Sequence, residues 1–217
     1  MVITENVFQL DSTKRSHAFL VRAGGLFLVD TGMPGLAEQI LEEIRQLGVS
    51  PNEIRAILLT HHDVDHSGNA EYLRQATGAE LWAPEADVSF LVGKEKRPGV
   101  KHLIETFVRP QKPTVTGTYG ADWPYRSIRV LPAPGHTPGH TIFQASNVVL
   151  AGDLFQYRNG RFGLLPNRMN WNRQETKKSL LVLSRLEFEW VCPAHGDPVR
   201  NGPALRNFLA RCTLSKP

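Results

Sequence analysis

His61, Asp63, Asp65 and His66 stand within the six residues 61–66, in the run Thr60-His61-His62-Asp63-Val64-Asp65-His66-Ser67-Gly68-Asn69. Imidazole and carboxylate are the side chains that hold zinc, iron or manganese, so their density here points to metal chemistry. Ile57-Leu58-Leu59 precedes the cluster and reads as a buried strand. A strand end that opens into a loop can aim several side chains at one point. The segment also admits a purely structural reading, in which Asp65 and Ser67 cap the following helix and favour its N-terminal dipole. Taken alone, the segment leaves both readings open, because short motifs recur by chance.

Four distant segments break the tie. They are Leu28-Val29-Asp30-Thr31-Gly32, Gly135-His136-Thr137-Pro138-Gly139-His140-Thr141, Ala151-Gly152-Asp153 and Ala194-His195-Gly196-Asp197. Each lies at the end of a predicted strand. With the His-x-Asp-x-Asp-His run they resemble, in order, the motifs of the metallo-β-lactamase superfamily, over residues 28–197. The departure is Asp63, which stands where that family usually has its second histidine.

The resemblance implies a four-layer αβ/βα sandwich, an α/β fold of two mixed β-sheets flanked by helices, with loops from both sheets meeting at one edge. It implies two divalent metal ions as cofactors. His61, Asp63 and His136 would hold the first and Asp65, His66 and His195 the second, with Asp153 bridging them. Family catalysis runs through a metal-bound hydroxide, whose pKa the cations depress, and Asp65 would orient it or accept a proton. Asp30 would hydrogen-bond the free N–H of a ligating imidazole. His62 is expected at the surface or behind the ligands, and His140 as a brace for its loop. His17 and His102 belong to no motif, and Cys192 reads as a buried, inert thiol.

Asp63 changes the charge of such a site. Two divalent cations offset by Asp65, Asp153 and a bridging hydroxide leave one net positive charge, and Asp63 cancels it. A neutral cluster is a weaker Lewis acid and draws anions less. Zinc is the metal expected from the family, whereas a carboxylate shifts preference towards manganese or ferrous iron.

The elements that must position these residues follow from periodicity. Strands are expected at 2–10, 18–22 and 26–30, the last two joined by a tight Ala23-Gly24-Gly25 turn. After Pro34, the spacing of Leu36, Ile40, Ile44 and Leu47 predicts an amphipathic helix that stops at Gly48. A strand at 54–60, a helix at 69–76, a short strand at 81–83 and a helix at 85–92 follow. Periodicity weakens over 93–126 apart from a helical piece near 100–107, and loops this long are usually functional or mobile. Strands return at 128–131, 141–145 and 148–151. After an irregular stretch, helices are expected at 174–186 and 203–210, with a strand at 190–192.

With 217 residues, 41% hydrophobic and 21% charged, the chain suits one domain, 1–217. Two cysteines cannot form a disulfide framework, and 2–10 reads as a strand rather than a secretory leader, so a cytoplasmic protein with reduced thiols is expected. No apolar run approaches the ~20 residues that span a bilayer. A net charge of +4 is a mild excess, which makes nucleic acid an improbable partner and a small-molecule substrate the expected one. Oligomeric state leaves no mark on the sequence. Lys94, Lys96, Arg97, Lys101, Arg109 and Lys112 crowd the stretch 93–112 and read as a solvated surface segment. In 154–173, aromatic residues and arginines either serve an anionic or acyl substrate or simply cover the core. Tyr157 is the candidate there, a hydroxyl able to polarise a carbonyl in acyl transfer.

These readings converge on a metal-dependent hydrolase of an ester, thioester or lactone, loosely similar to glyoxalase II and acyl-homoserine lactone lactonases. Two alternatives carry different chemistry. One is an iron-dependent oxidoreductase of persulfide dioxygenase or flavodiiron type, which Asp63 suits. The other is a phosphodiesterase or nuclease, allowed by the basic excess but without added nucleic-acid-binding elements.

Overall fold

The computed structural model describes residues 1–120 and 123–214; positions 121 and 122, inside the weakly periodic stretch, lie outside the described residues. The first half runs β1 (Val2–Thr4), β2 (Val7–Gln9), β3 (Phe19–Arg22), β4 (Leu26–Val29), α1 (Ala37–Gln46), β5 (Ile54–Leu58), α2 (Val64–Ser67), α3 (Ala70–Thr77), β6 (Glu80–Ala83), α4 (Val88–Leu91), α5 (Val100–Val108) and β7 (Gly117–Thr118). The second runs β8 (Ile128–Pro132), β9 (Thr141–Ala145), β10 (Val148–Gly152), β11 (Gln156–Arg158), β12 (Arg161–Gly163), α6 (Arg173–Ser184), β13 (Trp190–Pro193), β14 (Val199–Arg200) and α7 (Pro203–Leu214).

Each half builds a sheet. Seven strands are ordered β1-β2-β3-β4-β5-β6-β7 in one, and five are ordered β14-β13-β10-β9-β8 in the other. Both sheets are mixed: β4, β5 and β6 run parallel, as do β10 and β13, while the hairpins are antiparallel. The single strand expected at 2–10 is two, because the Thr4 hydroxyl accepts from the backbone N–H groups of Asn6 and Val7 and turns the chain. The stretch 154–172 is not wholly irregular, since β11 and β12 form a small hairpin within it.

Side-chain alternation along the central strands creates the layers. Phe19, Val21, Phe27, Val29, Ala56 and Leu58 face inward and pack with Ile128, Phe143, Val148, Leu150 and Cys192 of the other sheet. Their neighbours Leu20, Leu28 and Ile57 point the opposite way, onto Ile40, Leu41 and Ile44 of α1 and Leu73 of α3. On the far side, Ile142, Val149 and Val191 pack on Leu180 and Leu183 of α6 and on Leu205, Phe208 and Leu209 of α7. The result is the helix, sheet, sheet, helix sandwich, and both faces of the central strands are buried. Burying each such aliphatic or aromatic side chain contributes roughly 1.5–3 kcal/mol. Asn172 starts α6 as its N-cap, its side chain accepting from Gln174 N and Glu175 N. No helix among the described residues is long and apolar enough to cross a membrane.

Candidate metal centre

One edge of the sandwich collects the ends of β4, β5, β8, β10 and β13. Asp30 follows β4, Thr60 and the 61–66 run follow β5, His136 sits in the β8–β9 loop, Asp153 follows β10 and His195 follows β13. Parallel pairing within each sheet sends these ends to the same side. The helix-cap reading of the run does not hold as expected: α2 begins after Asp63, whose backbone carbonyl accepts from His66 N and Ser67 N. The Asp63 carboxylate makes no capping bond and is left for the site.

All seven predicted ligands are brought together, as His61, Asp63, His136 and Asp153 in one group and Asp65, His66 and His195 in another, the donors of each group lying within 4.8 Å of one another. Asp63 Oδ2 is 2.9 Å from His136 Nε2 and 3.6 Å from His61 Nε2. Asp153 reaches into both groups, with Oδ2 3.3 Å from His136 Nε2 and from His195 Nε2, and Oδ1 3.1 Å from His66 Nε2. Asp65 Oδ2 stands 3.5 Å from His195 Nε2 and 3.9 Å from His66 Nε2. Donors held about 2.0–2.1 Å from a tetrahedral ion lie about 3.4 Å apart, so these cages have the dimensions of a transition-metal site.

The imidazoles are oriented by what their Nδ1 atoms touch. His66 Nδ1 donates to Asp30 Oδ2 at 2.8 Å. The Thr60 hydroxyl donates to the same oxygen at 2.8 Å and lies 2.9 Å from His61 Nδ1, so it accepts from that N–H. His136 Nδ1 faces Asn170 Oδ1 at 3.1 Å, and His195 Nδ1 faces the Arg15 carbonyl at 2.6 Å. Each Nδ1 therefore carries a proton, and in the neutral ring each Nε2 keeps a lone pair for the site. His61 Nε2 and Asp153 Oδ1 are buried without a hydrogen-bond partner. A buried orphaned imidazole nitrogen is costly unless a cation takes its lone pair, so the donor set fits metal ions. Asp30 thus governs His66 directly and His61 through Thr60.

The metal-free electrostatics are strongly coupled. Burial opposes charge on His66 and His195, but Asp153, with Asp30 and Asp65 on His66 and with Asp65 on His195, overrides it. His66 is raised well above the ordinary histidine range, and His195 is pushed up to about 9. His61 is held well below that range by burial and by His66. Burial would raise Asp63, yet the Lys101 ammonium 2.8 Å away keeps it well below the usual carboxylate range. Asp65 is raised by its sunken position and by Asp153 and Asp63 beside it.

Lys101 is the residue that sequence reasoning missed. Its Nζ lies 2.8 Å from Asp63 Oδ2 and 3.1 Å from His136 Nε2. It and Arg97 are buried, 5% and 3% exposed, so these two depart from the solvated segment expected, whereas Lys94, Lys96, Arg109 and Lys112 are exposed. Arg97 donates twice to the His62 carbonyl and pairs with Glu105 at 2.6 Å, while Lys112 also pairs with Glu105. In the metal-free site the Lys101 ammonium offsets the negative charge of the Asp63 carboxylate. Helical spacing at 100–107 was the one available signal. It located α5 but not the direction of Lys101.

His62 is fully buried behind the ligands, the second of its two expected places, with Nδ1 2.9 Å from Asp87 Oδ2 and Nε2 3.4 Å from Asp63 Oδ1. Asp87, also unforeseen, ties this part of the site to the Thr137 hydroxyl and Gly139 N. His140 braces its loop as expected: its Nδ1 meets the Ala133 carbonyl at 3.0 Å and its Nε2 accepts from Asp153 N. Burial lowers it to about 3, so it stays neutral. His17 contributes its backbone N–H to Ala194 O, and His102 lies on α5 outside the donor groups. Cys192 is buried with its thiol raised by desolvation. Phe155, Phe162 and Leu164 serve the core beside α7, and the Tyr157 ring packs on Phe162 at 4.5 Å. The Tyr157 backbone nonetheless runs against the late loop, donating to His195 O and accepting from Asp197 N.

A four-layer αβ/βα sandwich with paired His/Asp donor groups at one edge defines a class of metallo-hydrolase folds. The profile of the metallo-beta-lactamase superfamily matches residues 13–195, and the chain belongs to that superfamily. It is 25% identical over 219 residues to the "Probable metallo-hydrolase YybB" of Bacillus subtilis, covering 96% of each chain. It is 34% identical over 144 residues to a hydroxyacylglutathione hydrolase of Methylobacillus flagellatus, covering 65% of this chain and 50% of that one. Among solved structures, a metallo-beta-lactamase family protein of Thermus thermophilus superposes with a TM-score of 0.71 at 21% identity, over 98% of this chain and 79% of the other. Family and donor cluster together support a metal-dependent hydrolase.

Proposed function

We propose that the protein hydrolyses an ester, thioester or lactone of a small-molecule substrate, using two divalent metal ions. The observation that carries this reading is Asp153, whose carboxylate stands between two three-residue donor groups with its oxygens 3.1–3.3 Å from His66, His136 and His195. Metal ions held by these residues would polarise a carbonyl oxygen and lower the pKa of water. Asp65, whose carboxyl is raised above the ordinary carboxylate range by burial and by Asp153 and Asp63, is the proposed group to take up or return a proton. Tyr157 is the proposed hydroxyl for the carbonyl oxygen. The exposed Trp171, whose backbone N–H donates to the His136 carbonyl, offers an apolar surface for an acyl group beside the donors. The resemblance to a hydroxyacylglutathione hydrolase favours a thioester among the three.

Asp63 favours manganese or iron over zinc, which keeps an iron-dependent oxidoreductase as the second reading. Elemental analysis of protein purified without added metal, followed by lactone, thioester and phosphodiester panels, separates them. Zinc or manganese with chelator-sensitive thioester or lactone hydrolysis is the expected result. Bound iron with oxygen uptake, or phosphodiester cleavage alone, would overturn it.

A further inference from the structure

The Nε2 atom of His136 has two claimants. Asn170 Nδ2 donates to the Leu165 carbonyl at 3.1 Å, which turns Asn170 Oδ1 towards His136 Nδ1 and fixes the proton on Nδ1. In the neutral ring one lone pair remains, on Nε2, which also lies 2.9 Å from Asp63 Oδ2. The Lys101 ammonium, with donors only, points at that lone pair from 3.1 Å and at Asp63 Oδ2 from 2.8 Å. These are two of the three atoms that would hold the first metal. An imidazole lone pair cannot serve an ammonium proton and a metal at once. Among the described residues, no lysine or arginine stands in this way between Asp65, His66 and His195; within hydrogen-bonding distance of their donors, the cationic side chain is Arg158, on the Nδ1 side of His195.

We propose that Lys101 is an internal competitor for the first metal, so that the two metal positions differ in affinity and the first fills only in exchange for the lysine. The Asp65, His66, His195 and Asp153 group loads first and tightly. Metal then enters between His61, Asp63 and His136 as the ammonium leaves Nε2. The setting of α5 permits that exchange. The helix is entered through Gly99 at φ +58° and left through Arg109 at φ +49°, both left-handed, with Pro98 and Pro110 beyond. Arg97 pins one side through the His62 carbonyl and Glu105, while Leu103, Ile104 and Phe107 on the opposite side are exposed. Among the described residues no packed layer covers α5 from outside, so Lys101 can withdraw without breaking the core. Asp63 in place of histidine then makes sense beside Lys101, since a carboxylate anchors an ammonium where an imidazole would not.

This inference rests on the site binding metal, but not on the substrate. The test is metal binding itself, by equilibrium dialysis of the full chain against zinc and elemental analysis, in the wild type, K101M and K101Q. The wild type is expected to bind one tight and one weak equivalent. Both variants should keep the tight equivalent unchanged, which also reports that they are folded, and bind the weak one about tenfold tighter, as expected for removing one competing hydrogen-bonded ion pair. Two equivalents of equal affinity in the wild type, or a weak equivalent that the variants leave unchanged, would overturn the competition and leave the hydrolase reading intact. Loss of the tight equivalent in both variants would mean that Lys101 supports the whole site, and also overturns it. A chain that binds no metal in any form sinks both readings.

Discussion

Asp30→Asn replaces one oxygen by an amide at a position where the chain is already tuned for it. Asp30 is buried at φ +59°, a left-handed conformation that asparagine adopts readily, so the backbone gains no strain. Its Oδ1 accepts from Thr60 N at 2.8 Å, and its Oδ2 accepts from His66 Nδ1 and the Thr60 hydroxyl, both at 2.8 Å. An amide cannot accept on both sides. If its NH2 group faces His66 and Thr60, both hydrogen bonds must reverse, and His66 and His61 shift to tautomers with Nε2–H that cannot ligate. If the amide turns over, both imidazoles keep their tautomers, but the NH2 group faces the Thr60 backbone N–H. Metal binding forces the second arrangement. Its cost is one buried unsatisfied donor, about 1–3 kcal/mol, which lowers metal affinity about 5- to 150-fold. Competitive titration against a chromophoric chelator measures this, with a thermal melt of the metal-free forms as the folding control. Thr60→Val, which removes only the relay to His61, should weaken one equivalent and spare the other. Wild-type metal affinity in Asp30→Asn would refute the reasoning that Asp30 sets both tautomers.

The pH dependence of the metal-free protein follows from His195. Its folded value of about 9 lies above its ordinary 6.5, so its stabilisation is complete below about pH 6.5 and disappears as pH rises through about 9. Melting temperature should therefore fall between those limits in chelator and stay flatter with metal bound; equal slopes in both would contradict the assignment. Gly196 carries φ +133°, and a Cβ there would meet the Tyr157 carbonyl at 1.7 Å. Gly196→Ala should cost more than about 2 kcal/mol and displace His195, seen as a lower melting temperature and a weakened tight metal equivalent. Tyr157→Phe should lower turnover about tenfold or more on the true substrate without changing metal content, as loss of an oxyanion donor does; unchanged kcat would remove the hydroxyl from the mechanism.

The donors themselves were legible because they lie in the loops and short helix that follow strands whose apolar pattern is plain. Asp30 follows β4, His61 follows β5, Asp153 follows β10 and His195 follows β13, so residue type and strand end together define what can reach a common edge. The β-sandwich was legible for the same reason: alternating positions such as Phe27 and Leu28 are all apolar, which only a strand covered on both faces requires. Local signals failed where the backbone is irregular. Thr4 breaks the first strand through side-chain bonds that apolar periodicity does not register, and the 93–112 stretch looked like solvated charge because nothing local says which way a lysine points. Only the packing of α5 against the site turned Lys101 and Arg97 inward, and only the meeting of residues 30, 60, 61 and 66 made one carboxylate the organiser of two ligands. The sequence by itself determined the ligands and the fold that gathers them. The tertiary structure decided the charge they feel and the tautomers they hold, because both depend on atoms a few ångströms apart in space and tens of residues apart along the chain.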